Sequence, residues 1–219
     1  MSVLTAADGY RLWAPRYAAE TAVSRLEDDV VGDLGIDTDA TRLLDVGCGT
    51  ARRLCHSGAA IGVGVDLSPA MLAEAIGPCT LAAGDARALP FAAGFFDVVW
   101  CRLVIGHVAG LHAVYAELGR VCRRGGTVVV TDFHPDAVAA GHRRTFPDRR
   151  GISHEIEHHV HDPLAHVIAA GDAGLLLVER RDAEVSPAIR PFYERAGRLA
   201  DYEAQCGLCL VLALVFRSR

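Results

Sequence analysis

The sequence predicts a doubly wound α/β domain around a mostly parallel sheet of seven strands. Two observations predict it. Short apolar runs alternate with stretches of helical periodicity along most of the chain. The first of these runs, Leu43 to Val46, carries Asp45 and breaks into Gly47-Cys48-Gly49, as a buried strand does when it turns tightly towards a helix.

The elements are expected in order. Helices cover Tyr10 to Ala19 and Thr21 to Leu34. Strand one is Arg42 to Val46, followed by a helix from Thr50 to about Ser57. Strand two is Ile61 to Asp66. Ser68 caps the next helix, with Pro69 at its first position, and that helix ends near Ile76. Strand three is Thr80 to Ala83 and strand four Asp97 to Cys101. Leu111, Val114, Tyr115, Leu118 and Val121 recur at helical spacing between Gly110 and Cys122. Strand five is Thr127 to Asp132. The last two strands are Leu175 to Asp182 and Cys209 to Arg217. One domain is expected over 1–219. Within it, 8–34 forms a helical cap, 40–133 a cofactor-binding half, and 134–172 an insertion over the strand ends, where ligands bind in such folds.

Bulk properties narrow the function. The chain has 219 residues and 51% hydrophobic content, enough for a sizeable core. A net charge of −5 argues against a nucleic-acid partner. No N-terminal apolar h-region is apparent, and the longest apolar run, Leu208 to Phe216, is too short to span a bilayer. A cytoplasmic location is expected. The seven cysteines are scattered, which fits free thiols.

The loop after strand one decides the ligand class. Gly47 and Gly49 allow close backbone approach, and Asp66 at the end of strand two can accept from both hydroxyls of a ribose. A dinucleotide fingerprint fails because Arg52 stands at its last position. That argues against a nicotinamide oxidoreductase. All 22 basic residues are arginine, so neither a P-loop lysine nor a lysine Schiff base is available. A cofactor with a ribose and no phosphates fits, and S-adenosylmethionine leads.

Further motifs carry a resemblance. Val65-Asp66-Leu67-Ser68-Pro69-Ala70-Met71-Leu72, Gly84-Asp85-Ala86 with Leu89-Pro90-Phe91, and Phe96-Asp97-Val98-Val99-Trp100 follow the glycine loop in order. Leu118 to Gly126 then leads into strand five. Over about 40–133 the chain resembles the class I S-adenosylmethionine-dependent methyltransferases. Tyr10 to Tyr17 is similar to the N-terminal segment of a subgroup with quinone-ring C-methyltransferases and malonyl-carrier O-methyltransferases. The resemblance implies a Rossmann-like methyltransferase fold with an antiparallel edge. It implies that Asp45 and the backbone of Gly47, Cys48 and Gly49 hold the amino-acid end of the cofactor. Asp85 takes the adenine amine, with Gly84 and Ala86 beside the ring, Leu67 and Met71 sandwiching it, Cys101 near the sulfonium and Tyr17 closing over the cofactor. Ala51 stands where the family often has a third glycine, and little consequence is expected. The partner implied is a small-molecule methyl acceptor; a homodimer is one option, and the oligomeric state stays open. The rival is a protein of this fold that binds S-adenosylmethionine or S-adenosylhomocysteine without catalysis.

The remaining candidates concern chemistry at the acceptor. His107 after strand four and His134 after strand five are candidate catalytic groups, each with a packing role as the alternative. Seven of the ten histidines lie between His134 and His166. His154 to His158 matches H-E-x-x-H, but Ile152, Ile156 and Val160 are spaced for a strand, which would hold those histidines about 13 Å apart. One zinc cannot bridge that distance, so no metal is expected. On a strand, His154 and His158 share a face suited to a pocket wall, with His159 opposite; a solvated strand is the alternative. Arg190 and Tyr193 are candidates to grip a substrate carboxylate. Cys206 and Cys209 form a C-x-x-C that enters an apolar strand, which suits structural cysteines.

Overall fold

The computed structural model describes residues 3–219. The chain opens with β1 (Val3–Leu4), α1 (Ala6–Trp13) and α2 (Ala22–Asp33). Thr21 caps α2 with a reciprocal box: its hydroxyl accepts the Ser24 N–H while Ser24 accepts the Thr21 N–H. The cofactor half follows as β2 (Arg42–Val46), β3 (Ile61–Asp66), α3 (Pro69–Ala73), β4 (Thr80–Ala83), β5 (Phe96–Arg102), α4 (Leu111–Val121) and β6 (Cys122–Phe133). Then come α5 (Pro135–Ala139), β7 (Thr145–Pro147), β8 (Ser153–Ile156), α6 (Pro163–Asp172) and β9 (Leu175–Glu184). The chain closes with α7 (Arg190–Arg195), α8 (Leu199–Gln205) and β10 (Cys209–Ser218).

Seven strands form one sheet in the order β4-β3-β2-β5-β6-β10-β9. β2 lies centrally, with Leu44 beside Val63 of β3 and Val99 of β5. The antiparallel edge is made by β10, which runs against β6 on one side and β9 on the other. From β2 the chain steps outward through β3 to β4, then returns to place β5 on the other side of β2. This reversal opens a crevice at the carboxyl ends of β2 and β5, where open α/β sheets bind ligands. Its floor is rigid, since Leu43, Leu44, Val99 and Cys101 are fully buried.

Five departures from the sequence reading stand out. The 50–57 helix is reduced to a single 3-10 turn at Leu54–His56. Ala51 is fully buried with φ of +57°, so a side chain sits in the left-handed region that glycine prefers. The departure at this position therefore has a backbone consequence. A second sheet, β1-β8-β7, ties the N-terminus to the insertion through Val3 beside Glu155; strands of two to four residues leave no readable period. α6 packs on α4 and β9, so the insertion covers the strand ends only up to about residue 162. Finally, Cys55 and Cys79 are joined as a disulfide, which corrects the expectation of seven free thiols.

Candidate functional site

A cavity of about 330 Å³ occupies the crevice. It is within the range of small-molecule and cofactor sites. Its wall gathers Tyr17, Gly47, Gly49, Asp66, Leu67, Met71, Gly84, Asp85, Ala86 and His107 from five separate stretches of sequence.

The loop after β2 is shaped by sterics. Gly47 has φ of +72°, and a Cβ there would lie 2.1 Å from Val104 Cγ2. Gly49 has φ of +57° and would place a Cβ 3.1 Å from Met71 Cε. Asp66 closes the loop from β3: Oδ2 accepts the Gly49 N–H at 2.8 Å and Oδ1 the Ser68 N–H at 2.8 Å. Each oxygen keeps a further lone pair for a ligand hydroxyl. Burial raises the Asp66 pKa, and the two amide donors oppose it.

The floor of the loop is an ionic network. Glu27 of α2 is fully buried and takes Arg102 Nε and Nη2 at 2.7 and 2.8 Å and Arg53 Nη2 at 2.7 Å. Asp28 adds bonds to Arg52, Arg53 and Arg102. A buried carboxylate is tolerated only with such partners. The network therefore fixes α2 against the strand ends that carry the site.

His107 is held in one tautomer. Its Nδ1 lies 3.0 Å from the Glu157 carbonyl, which can only accept, so Nδ1 carries the proton. Its Nε2 lies 3.1 Å from Arg144 Nη1, which can only donate, and 2.9 Å from the Tyr10 hydroxyl. Burial, with the Arg144 charge beside it, lowers its pKa to about 3.

Several expected residues lie elsewhere. Asp45 is buried beneath the loop rather than on the wall, and burial raises its pKa to about 6 against the pull of Arg53 and Arg102. Cys48 is buried, with its thiol turned towards Gly64 of β3. Cys101 is fully buried in the core with Val99 and Tyr115, because its β5 position faces the packed side of the sheet. His134 caps α5, with Nδ1 accepting the Asp136 N–H at 3.2 Å and Nε2 3.5 Å from Asp182 Oδ1. Arg190 pairs with Glu194 on an exposed face, while the Tyr193 hydroxyl donates to Gln205. The histidine strand stops at Ile156, so its alternation does not reach the later histidines. His154 Nε2 meets Asp148 Oδ2 at 3.1 Å, and His158 packs on Phe133 and lies 3.7 Å from Asp132. His159 and Glu157 line the cavity instead.

Residues 44–130 match a family model described as a methyltransferase domain. A malonyl-acyl-carrier-protein O-methyltransferase of Dechloromonas aromatica is 30% identical over 68% of this chain and 55% of its own length. The chain belongs to the class I S-adenosylmethionine-dependent methyltransferases. A demethylmenaquinone methyltransferase of Mycolicibacterium vanbaalenii is 43% identical over 42% of each chain. The chain thus spans about half the length of the curated relatives it matches. An S-adenosylmethionine-dependent methyltransferase from Mesorhizobium loti has the same fold. It has a TM-score of 0.68 at 20% identity, covering 90% of this chain and 99% of that one.

S-adenosylmethionine is the cofactor of this family, and the cavity fits it. Asp66 has lone pairs for ribose hydroxyls, and the space a Cβ at Gly47 would need is already closed by Val104. The arginines on the wall, Arg87 and Arg102, are already paired with carboxylates, so neither is free for a pyrophosphate. Asp85 is held by Arg87 at 2.6 Å, which keeps its carboxyl below the usual range. Sequence reasoning missed Tyr10, Arg87, Arg102, Val104 and Val108 on this wall. Tyr10 alone left a signal, standing seven residues before Tyr17, about two helical turns.

Proposed function

We propose that this chain transfers a methyl group from S-adenosylmethionine to a small-molecule acceptor. The observation that supports it most is the joining of Gly47, Gly49, Asp66, Asp85 and His107 on one cavity at the sheet's reversal point. When bound, the cofactor supplies an electrophilic methyl on a sulfonium. Asp66 would accept from the ribose, Leu67 and Met71 would flank the adenine, and Tyr17 and Tyr10 would cover the methionine portion. His107 is kept neutral and engaged at both ring nitrogens, so its role here is to orient the wall rather than to remove a proton. Rate then comes chiefly from alignment in a site screened from water by α1 and the insertion.

The acceptor is a small molecule in this reading because the space adjoining the cofactor cavity is only about 190 Å³. Among the described residues no helix is long and apolar enough to cross a membrane, and a cytoplasmic enzyme is the simplest reading. Relatives named as methyltransferases support turnover over mere binding. The test is incubation with methyl-labelled S-adenosylmethionine and an extract of small metabolites. Label should appear in an acceptor in step with S-adenosylhomocysteine. Tight cofactor binding with no transfer to any fraction would contradict catalysis.

A further inference from the structure

Away from both cavities, three metal-ligating side chains converge where the end of β6 meets the start of β10. His134 follows β6 and caps α5, Asp136 stands in the first turn of α5, and Cys209 opens β10. The His134 N–H donates to the Leu210 carbonyl at 2.9 Å, which seats the histidine beside Cys209. One donor atom from each of His134, Asp136 and Cys209 lies within 4.8 Å of the other two. His134 is buried, Cys209 half-buried and Asp136 exposed.

The spacing suits one small ion. Two ligands bound at about 2.0–2.2 Å to a tetrahedral zinc stand about 3.4 Å apart, and His134 Nδ1 lies 3.4 Å from Asp136 Oδ2. That nitrogen accepts the Asp136 N–H at 3.2 Å, a single long bond to give up for a metal. The proton of the neutral ring is then on Nε2, which faces Asp182 Oδ1 at 3.5 Å. A carboxylate behind a ligating imidazole fixes its tautomer and its aim. Asp182 is itself held by Arg180 at 3.0 Å.

The surroundings of the sulfur are negative. Burial first, then the charges of Glu184, Asp182 and Asp136, raise the Cys209 thiol pKa, and Arg180 opposes them. A divalent cation offsets that field, and the thiol proton passes to solvent as the metal–sulfur bond forms. One sulfur, one imidazole and one carboxylate favour zinc over magnesium or calcium, which take oxygen ligands. Cys206, the other half of the C-x-x-C, is exposed and stands beside Tyr202.

We infer that His134, Asp136 and Cys209 form a site for a divalent metal of the zinc class, with a fourth position left to water. The bound ion ties α5, and with it the start of the insertion, to the antiparallel edge of the sheet. Asp182 is a positioning residue that acts through His134. None of the four lines the cofactor cavity, so the inference stands apart from the methyltransferase reading.

The test uses the full chain, stripped with a chelator and titrated with cobalt and then with zinc under anaerobic conditions. One cobalt per chain should bind, with a thiolate-to-cobalt charge-transfer band, and zinc should displace it while millimolar magnesium should not. D182N should keep the band and weaken zinc binding about tenfold. C209S should lose the band, and both C209S and H134A should weaken zinc more than D182N does. C206S should match the wild type. X-ray absorption on the zinc-loaded wild type needs no variant to fold, and should show a single sulfur at about 2.3 Å. Zinc should also raise the melting temperature of the wild type and leave that of C209S unchanged. Absence of saturable binding at one equivalent overturns the inference, as does a zinc shell with no sulfur. A band that survives C209S, or one that disappears in C206S, shows the donor set to be wrong.

Discussion

The loop after β2 and the histidine-rich stretch from His154 to His166 are both dense in motif-like residues, yet only the loop does what its pattern suggests. In the loop, function is written into the backbone. Gly47 and Gly49 stand at positive φ and Asp66 accepts two amide protons, all within one β–loop–β unit. In the histidine stretch, two rings are placed by partners far along the chain: His158 by Phe133 and Asp132, and His166 by the Tyr115 hydroxyl at 2.9 Å, while His154 meets Asp148 within its own hairpin. Local geometry can be read from local sequence; tertiary placement cannot.

The largest effect that could break this contrast is at Gly47. Gly47→Ala puts a Cβ into Val104 at positive φ. Strain of about 1–3 kcal/mol and overpacking of about 1–3 kcal/mol together predict a loss of roughly 2–6 kcal/mol in unfolding free energy, read by urea denaturation. A variant as stable as wild type would mean the loop is not held as described.

Next is Asp45, buried under the same loop. Its folded pKa of about 6 lies above the ordinary carboxylate value. The folded state therefore binds more protons than the unfolded state between about pH 4 and 6, and stability falls as pH rises through that window. At about 1.36 kcal/mol per unit, the wild type should lose about 3 kcal/mol from this group, and Asp45→Asn should remove that part of the slope. Unfolding curves at pH 4 and 7 check it; parallel slopes in both proteins would contradict it.

How much was legible follows the same division. β2, β3 and β4 have the bounds their apolar runs suggested, because each is a short run ended by Gly, Asp or a turn. Ser68 was legible as a cap and Met71 as a wall residue because α3 starts beside them. Cys101 was misplaced because a strand residue's face depends on sheet packing. Arg144 was invisible because its placement depends on Leu103 and His107, some forty residues earlier.

The smallest effects sharpen the contrast within the insertion. His159 lines the cofactor cavity and His158 does not. His159→Ala should weaken S-adenosylhomocysteine binding a few-fold, in the range of one ordinary hydrogen bond of about 0.5–1.5 kcal/mol. His158→Ala should leave that affinity within about twofold. Calorimetry on both variants distinguishes them, and the reverse ranking would contradict this placement of the two rings.

The central claim is that the β2–β3 unit holds an adenosyl cofactor through Asp66. Calorimetric titration of S-adenosylhomocysteine into wild type and Asp66→Ala tests it most directly. Hydrogen bonds to a charged acceptor are worth about 1.5–3 kcal/mol each. The wild type should bind in the micromolar range, the variant at least about tenfold more weakly, and NAD should bind neither comparably. A variant with unchanged affinity, or a wild type that prefers NAD, would contradict the account.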